Sequence, residues 1–133
     1  MAEPPKTPTN DGTIETDMVI IGAGPVGLFA VFEAGLLGLK CHLVDNLDKI
    51  GGQCAELYPE KPIFDIPALP RCTGHELIDR LVEQAAPFSP VYHLNQQAEK
   101  LTRLEDDRWQ LVTSSGTTFI TPNIVIAAGA GSF

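Results

Sequence analysis

The stretch "DMVIIGAGPVGLFAVFEAGLLGLKCHLVD", residues 17–45, constrains the fold of this chain more than any other part of the sequence. A short apolar run rich in β-branched residues predicts a strand buried on both faces. The segment that follows has the length of a helix, and Pro25 suits its first turn, where the missing N–H costs nothing. Because "CHLVD" predicts another strand, we expect a βαβ unit with parallel strands and a right-handed crossover.

The turn between the first strand and the helix, Gly22 to Gly27, has the GxGxxG spacing of a dinucleotide-binding turn. Gly22 permits the tight turn, Gly24 lets a pyrophosphate approach the backbone, and Gly27 lets the helix pack closely on the strand. The helix N-terminus offers N–H groups and a partial positive charge to a diphosphate. Asp45 ends the second strand, where its carboxylate can accept hydrogen bonds from a ribose diol and disfavours a 2′-phosphate. The motif predicts FAD or NAD and does not separate the two.

A second glycine pair lies in "DKIGGQCAELYPEKPIFDIP", residues 48–67, where a nucleotide-binding domain normally starts its next helix. The prolines predict a stiff loop without a helix, and Gly51-Gly52 permits a ligand to approach the backbone. Gln53 supplies a side-chain donor and acceptor, and Tyr58 is suited to pack against a ring system. Such a lining fits a ligand that extends past the diphosphate, which favours FAD over NAD.

The remaining sequence completes the predicted architecture. Thr73 to Glu76 forms a capping box at the start of a helix that ends near Pro87. Short strands follow in "PVYHL", "AEKLTRL", "RWQLVT" and "TTFI", and the last three predict an antiparallel meander. "NIVIAAGAGSF" predicts a further buried strand. We therefore expect an α/β, Rossmann-like FAD-binding domain over residues 17–133, preceded by a flexible tail over residues 1–16.

Composition narrows the possible partners. The formal net charge of −8 disfavours binding to the phosphates of nucleic acid, and no apolar run reaches the length of a membrane span. The three cysteines form no CxxC pair, which predicts reduced thiols in a cytoplasmic protein. We assign Cys54 to packing, because no resolving cysteine lies near it in sequence. No metal-ligand spacing and no acid–base or nucleophilic residue is predicted.

These residues carry a family resemblance. The stretch from "IGAGPVGLF" through "GGQCAELYPEKPIFDIP", together with "PF-P-YHL" and "VIAAGAGSF", resembles the amino-terminal part of a ferredoxin–NADP(+) reductase of the thioredoxin-reductase-like type. "GGQCAELYPEKPI" is its most specific element. The resemblance covers about residues 17 to 133 and implies an FAD-containing, homodimeric bacterial enzyme.

The resemblance also implies a set of FAD contacts. The diphosphate would lie over the turn, the ribose at Asp45 and the flavin beside two residues of the proline-rich loop; Ala98 would contact the adenine through its backbone, and Phe133 would lie beside the cofactor. Ala98 and Phe133 rest on resemblance alone. The full set of predicted cofactor-binding residues is Gly22, Gly24, Val26, Gly27, Asp45, Gln53, Tyr58, Ala98 and Phe133.

The implied reaction is transfer of electrons from NADPH through the flavin to ferredoxin. The chain lacks the NADPH domain of the full two-domain flavoprotein, so we expect an incomplete fold, activity only within a longer polypeptide, and weak FAD binding by this chain alone. Two alternatives remain open at this point. One is a fragment of a thioredoxin-reductase-like flavoenzyme, which a downstream CxxC would indicate. The other is a non-catalytic module that binds FAD or NAD.

Overall fold

The computed structural model of the chain describes residues 12–57 and 59–129. Its strands, in chain order, are β1 (Ile14–Glu15), β2 (Met18–Ile21), β3 (Cys41–Val44), β4 (Pro62–Ile63), β5 (Cys72–Thr73), β6 (Val91–His93), β7 (Ala98–Arg103), β8 (Trp109–Thr113), β9 (Thr118–Thr121) and β10 (Ile124–Ile126). Its α-helices are α1 (Pro25–Leu36), α2 (Gly52–Glu56) and α3 (Gly74–Ala85), and a 3₁₀ helix spans Ala86–Phe88. Among these described helices, none has the length and apolar character needed to cross a membrane.

A parallel sheet forms the centre of the fold, with its strands in the order β10-β2-β3-β6. Its two central strands are mostly apolar on both faces, as expected for strands covered on both sides. Ile20 and Leu43 pack with residues of α1 on one side, whereas Val19 and Val44 pack against a second sheet on the other. The predicted βαβ unit and its parallel strands are therefore confirmed.

Helix α1 begins at Pro25, as predicted, and ends at Leu36. Gly35 explains how closely the helix packs, since a Cβ atom there would overlap the ring of Phe88. Gly38 has a φ of +79° and follows the last turn, where a positive φ favours glycine.

The second sheet has the order β1-β9-β8-β7. Strand β8 pairs antiparallel with both β7 and β9, which confirms the predicted meander. Leu111 and Phe119 from this sheet are buried against the parallel sheet. The fold therefore contains two stacked sheets that share one apolar interface.

The predicted boundary between tail and domain is wrong at residue 16. Ile14 and Glu15 form β1, which pairs in parallel with Phe119 and Ile120 of β9. The Glu15 carboxylate also accepts a hydrogen bond from Arg108 at 3.0 Å. A strand of two residues is too short to show periodicity in the sequence. Its partner also lies about a hundred residues away, so no local pattern could reveal the pairing. The described part of the fold thus begins before Asp17.

The predicted helix-free loop over residues 48–67 is also corrected. Residues Gly52–Glu56 form the five-residue helix α2, because the first proline of the stretch, Pro59, lies beyond its end. Further along, β4 pairs antiparallel with β5, a hairpin that the sequence analysis did not predict. The prolines therefore shape the second half of this stretch and leave the first half free to form a helical turn.

Helix α3 begins with the predicted capping box. The Thr73 hydroxyl accepts the Glu76 N–H at 3.1 Å, and the Glu76 carboxylate accepts the Thr73 N–H at 2.8 Å. Leu77, Ile78 and Ala85 are buried on one face, so the helix is amphipathic. The helix packs against α1 and α2 and so fixes α2 beside the parallel sheet.

A pair of histidines lies between the two sheets. His42 of β3 and His93 of β6 stack with ring centroids 5.1 Å apart, and Nδ1 of His42 is 2.9 Å from Nε2 of His93. The buried ring of Phe119 meets both imidazoles edge-on. Burial lowers the pKa of both histidines, and the neighbouring His93 lowers the pKa of His42 further.

This pair predicts a loss of stability in mild acid. Below the usual histidine pKa of about 6.5, the unfolded chain takes up protons before the folded chain does. The free energy of unfolding should therefore fall as the pH drops from about 6.5 toward the lowered pKa values of the folded protein. Urea unfolding between pH 7.5 and 5 measures this, and His93→Gln should flatten the dependence. His75→Gln, at an exposed site, is the matched control; an equal flattening by both substitutions would contradict the assignment.

Candidate nucleotide-binding site

A cavity of about 530 Å³ opens at the carboxyl ends of β2, β3 and β10. This is the edge at which open parallel sheets bind their ligands. Its wall is formed by the glycine turn, the residues that follow β3 and β10, and the segment that leads into β7. Within the described structure, this cavity is where the glycine turn and Asp45, the residue predicted to bind a ribose, lie side by side.

The glycine turn packs too tightly for side chains at two positions. Gly22 has a φ of +114°, and a Cβ atom there would overlap the carbonyl oxygen of Ala127 at the end of β10. A Cβ atom on Gly27 would overlap the carbonyl oxygen of Gly22. Only glycine therefore fits at positions 22 and 27, between β10 and the first turn of α1.

The N-terminus of α1 faces this cavity. Its N-cap, Gly24, has no side chain to accept a hydrogen bond, and the first turn of the helix carries no acidic residue. The first N–H groups of the helix therefore remain available, together with the positive end of the helix dipole. Since Gly24, Pro25 and Val26 line the cavity, this end of the helix can bind an anionic diphosphate.

Asp45 is held in place by two backbone hydrogen bonds. One carboxylate oxygen accepts the Ala23 N–H at 2.7 Å, and the other accepts the Leu47 N–H at 2.8 Å. These bonds tie the glycine turn to the end of β3. Each oxygen retains capacity to accept another hydrogen bond, so the carboxylate is already oriented for a diol in the cavity.

The double glycine of the next segment contacts the glycine turn directly. Gly51 donates its N–H to the Ala23 carbonyl at 2.9 Å, and a Cβ atom on Gly52 would lie only 3.1 Å from the Cα of Gly24. Gly52 also has a φ of +58° and lines the cavity. Close backbone approach is thus the role of this pair in the described structure, and it places the start of α2 at the cavity wall.

The structure brings several of the predicted residues together. Those that line the cavity are Gly22, Gly24, Val26, Asp45 and Ala98. Gly27 is buried beneath the turn and acts on packing instead. Gln53 lies in α2 next to Gly52, but its side chain, like Tyr58 and Phe133, is outside the described residues.

The sequence analysis missed other cavity residues: Asn46, Leu47, Cys54, Gln96, Gln97, Ala127, Ala128 and Gly129. The small residues Ala127 to Gly129 could have been predicted as cavity residues, because they follow the apolar strand β10 as the glycine turn follows β2. Gln96 and Gln97 were harder to predict, since their only sequence clue is that they precede the first strand of the meander. The described residues contain no group of three or more side chains arranged to hold a metal ion.

Cys54 is half-buried in the cavity wall, whereas Cys41 and Cys72 are 4% and 3% exposed. Burial raises the pKa of the Cys54 thiol, and the nearby Cys72 raises it further. The spatial neighbour was invisible in the sequence, because α2 and β5 meet only in the fold. Cys54 is therefore a neutral thiol at neutral pH.

Two glycine substitutions should separate ligand binding from folding. Gly24→Ala places its Cβ 3.6 Å from the nearest heavy atom of the described protein, an ordinary contact, so the fold should be retained. That methyl group would occupy the approach to the helix N-terminus, and nucleotide affinity should fall roughly tenfold or more, about 1.4 kcal/mol. Gly27→Ala should instead destabilise the fold by about 1–3 kcal/mol or more through overpacking.

Thermal unfolding and nucleotide titration of both variants measure these effects. A Gly24→Ala chain with native stability and undiminished nucleotide affinity would show that the ligand does not approach the turn. A Gly27→Ala chain with native stability would contradict the packing role.

Comparison with known proteins places this geometry in a family context. The family model described as an NAD(P)-binding Rossmann-like domain matches residues 20–76, which include the glycine turn, Asp45 and α2. The crystal structure of a thioredoxin reductase from Lactococcus lactis superimposes with a TM-score of 0.75 at 25% identity, covering 89% of this chain and 37% of that one.

Curated relatives are much closer in sequence. A ferredoxin–NADP reductase of Parvibaculum lavamentivorans is 67% identical over 121 residues, which are 91% of this chain and 35% of the reductase. One from Rickettsia rickettsii is 62% identical over 118 residues, covering 89% of this chain and 34% of the reductase. The chain is thus similar in sequence to ferredoxin–NADP reductases, spans about a third of their length and has a thioredoxin-reductase-like Rossmann fold.

Proposed function

We propose that the chain is the FAD-binding portion of a ferredoxin–NADP reductase and holds the ADP half of FAD in the cavity. The observation that supports this most directly is the Asp45 carboxylate, fixed beside an uncapped helix N-terminus. That pairing offers an acceptor to a ribose diol and donors to a diphosphate within one cleft. It occurs in a chain that is 67% identical to a protein named ferredoxin–NADP reductase.

Each part of the ADP half has a proposed partner. The diphosphate lies over Gly22, Gly24 and Val26, while Gly27 maintains the packing of the helix beneath it. The ribose bonds Asp45, and the adenine lies against the backbone of Ala98 at the start of β7. The carboxylate of Asp45 would repel a 2′-phosphate, so the site favours FAD over NADP.

The flavin half extends past α2, and we keep Gln53, Tyr58 and Phe133 as its proposed contacts. Bound FAD would supply the hydride and single-electron chemistry of the reductase. The described residues bind and orient the cofactor, and we propose no acid–base residue among them. NADPH as co-substrate, ferredoxin as electron acceptor, homodimer formation and a cytoplasmic location are proposed for the longer protein, with the NADPH domain in the part of the reductases that this chain does not cover.

Cys54 provides a direct test of where the cofactor binds. Its half-buried thiol lines the cavity, and the other two thiols are buried. Saturating FAD or ADP should therefore slow the reaction of the native chain with N-ethylmaleimide by about tenfold or more, since the ligand covers the only accessible thiol. Mass spectrometry over time measures the rate, and Cys54→Ser should abolish the rapid labelling. An unchanged labelling rate at a FAD concentration that saturates binding would place the cofactor elsewhere.

The reductase function is tested in a complete enzyme. Replacing the matched 121-residue segment of the Parvibaculum lavamentivorans reductase with the residues of this chain should preserve bound FAD and ferredoxin reduction by NADPH. The same hybrid with Gly24→Ala should lose FAD and turnover together. A hybrid that retains FAD but does not reduce ferredoxin would favour a non-catalytic nucleotide-binding module.

A further inference from the structure

At the rim of the cavity, Gln96 connects Asp45 to the second sheet. Its backbone N–H donates to the carbonyl oxygen of Asp45 at 3.0 Å. Its side-chain oxygen, Oε1, accepts a hydrogen bond from the hydroxyl of Thr113 at 2.7 Å. Gln96 is half-buried and lines the cavity. Both its backbone and its side chain are therefore fixed next to Asp45.

Thr113 determines which way the Gln96 amide is oriented. Thr113 ends β8, is 2% exposed, and has its backbone N–H bonded to the Thr117 carbonyl at 2.9 Å. A buried hydroxyl that lacked an acceptor would be costly, so the Thr113 proton holds the carbonyl end of the amide. This leaves the amide nitrogen, Nε2, as the end that no described residue binds.

The free end of the amide is a hydrogen-bond donor. An NH₂ group needs an acceptor from water or from a ligand. Asp45, whose backbone carbonyl accepts the Gln96 N–H, carries a carboxylate that only accepts hydrogen bonds. The rim of the cavity therefore combines an acceptor and a donor on the side that leads into Ala98. Adenosine carries both matching functions, hydroxyl donors on its ribose and acceptor atoms on its purine ring.

We propose that Gln96 is an additional nucleotide-binding residue whose side-chain amide donates a hydrogen bond to an acceptor atom of the purine ring, with Thr113 as its positioning residue. The inference rests on the proposed nucleotide function and adds a side-chain contact for the base. In this arrangement Asp45 binds the ribose, Gln96 binds the base, and Thr113 keeps the donor turned toward the cavity.

The test is a double-mutant cycle on the full chain with ADP as ligand. Gln96→Leu removes the donor and should weaken ADP binding by about three- to tenfold, the range of a neutral hydrogen bond. Thr113→Val removes only the positioning hydroxyl and should weaken binding by a smaller factor. Because both act through one contact, the double variant should bind no more weakly than Gln96→Leu alone. Titration calorimetry measures the affinities, and thermal unfolding measures the stability of each variant.

Two further variants distinguish binding from a structural role. Gln96→Glu still accepts from Thr113, so stability should be retained, but it replaces the donor with an acceptor and ADP binding should be lost. Gln97→Leu is the matched control, because Gln97 also lines the cavity while its backbone, not its side chain, bonds Ser114. Pyrophosphate affinity should be the same in Gln96→Leu and in the unsubstituted chain, since that probe lacks a base.

The outcomes separate this inference from the proposed function. If neither the unsubstituted chain nor the hybrid reductase bound FAD, the proposed function would fail. If the unsubstituted chain bound ADP and Gln96→Leu bound equally well, only the role of Gln96 would fail. Equal losses of ADP and pyrophosphate affinity would show that Gln96 supports the cavity and does not contact the base.

Discussion

The geometry of the site depends on the carboxylate of Asp45. By accepting the N–H groups of Ala23 and Leu47, it joins the glycine turn before α1 to the chain that leaves β3. Hydrogen bonds to a charged group contribute about 1.5–3 kcal/mol each, so the two bonds together outweigh most single contacts on a protein surface. One side chain therefore fixes the parts of the cleft that we propose bind phosphate and ribose relative to each other before any ligand arrives, which lowers the entropy lost on binding.

The hydrogen bonds of this carboxylate also require a particular arrangement of β2, α1 and β3. Asp45 can reach the turn only if β2 and β3 are adjacent and parallel, which requires α1 to cross over between them. Gly22 and Gly27 permit the close packing that brings the turn within reach. The segment between β6 and β7 then completes the cleft from the other side, where Asn95 and Gln96 donate their backbone N–H groups to the carbonyls of Leu47 and Asp45.

The sequence predicted those features whose causes are local. The βαβ unit, the capping box of α3 and the meander follow from periodicity, glycine spacing and turn residues within short windows, and the structure confirms them. Features that depend on distant partners were missed: β1, the histidine pair, and the hydrogen bond from Thr113 to Gln96. The β4–β5 hairpin was missed because its strands are only two residues long. Helix α2 was missed because the prolines of this stretch disfavour a helix only from Pro59 onward, whereas the five residues of α2 precede them. For the site, the backbone of the glycine turn that lines the cavity was predictable, whereas the polar side chains at the rim were not.

Strand β1 has a consequence for how the chain is made. Ile14 leaves the ribosome early, yet its partner Phe119 is among the last described residues to be synthesised. The βαβ unit can form while translation continues, because its contacts are close in sequence, but the edge strand must wait until β9 has been made. Until then the apolar face of the parallel sheet that Phe119 covers is open to other proteins. The apolar core between the two sheets is therefore completed only after β9 has been made.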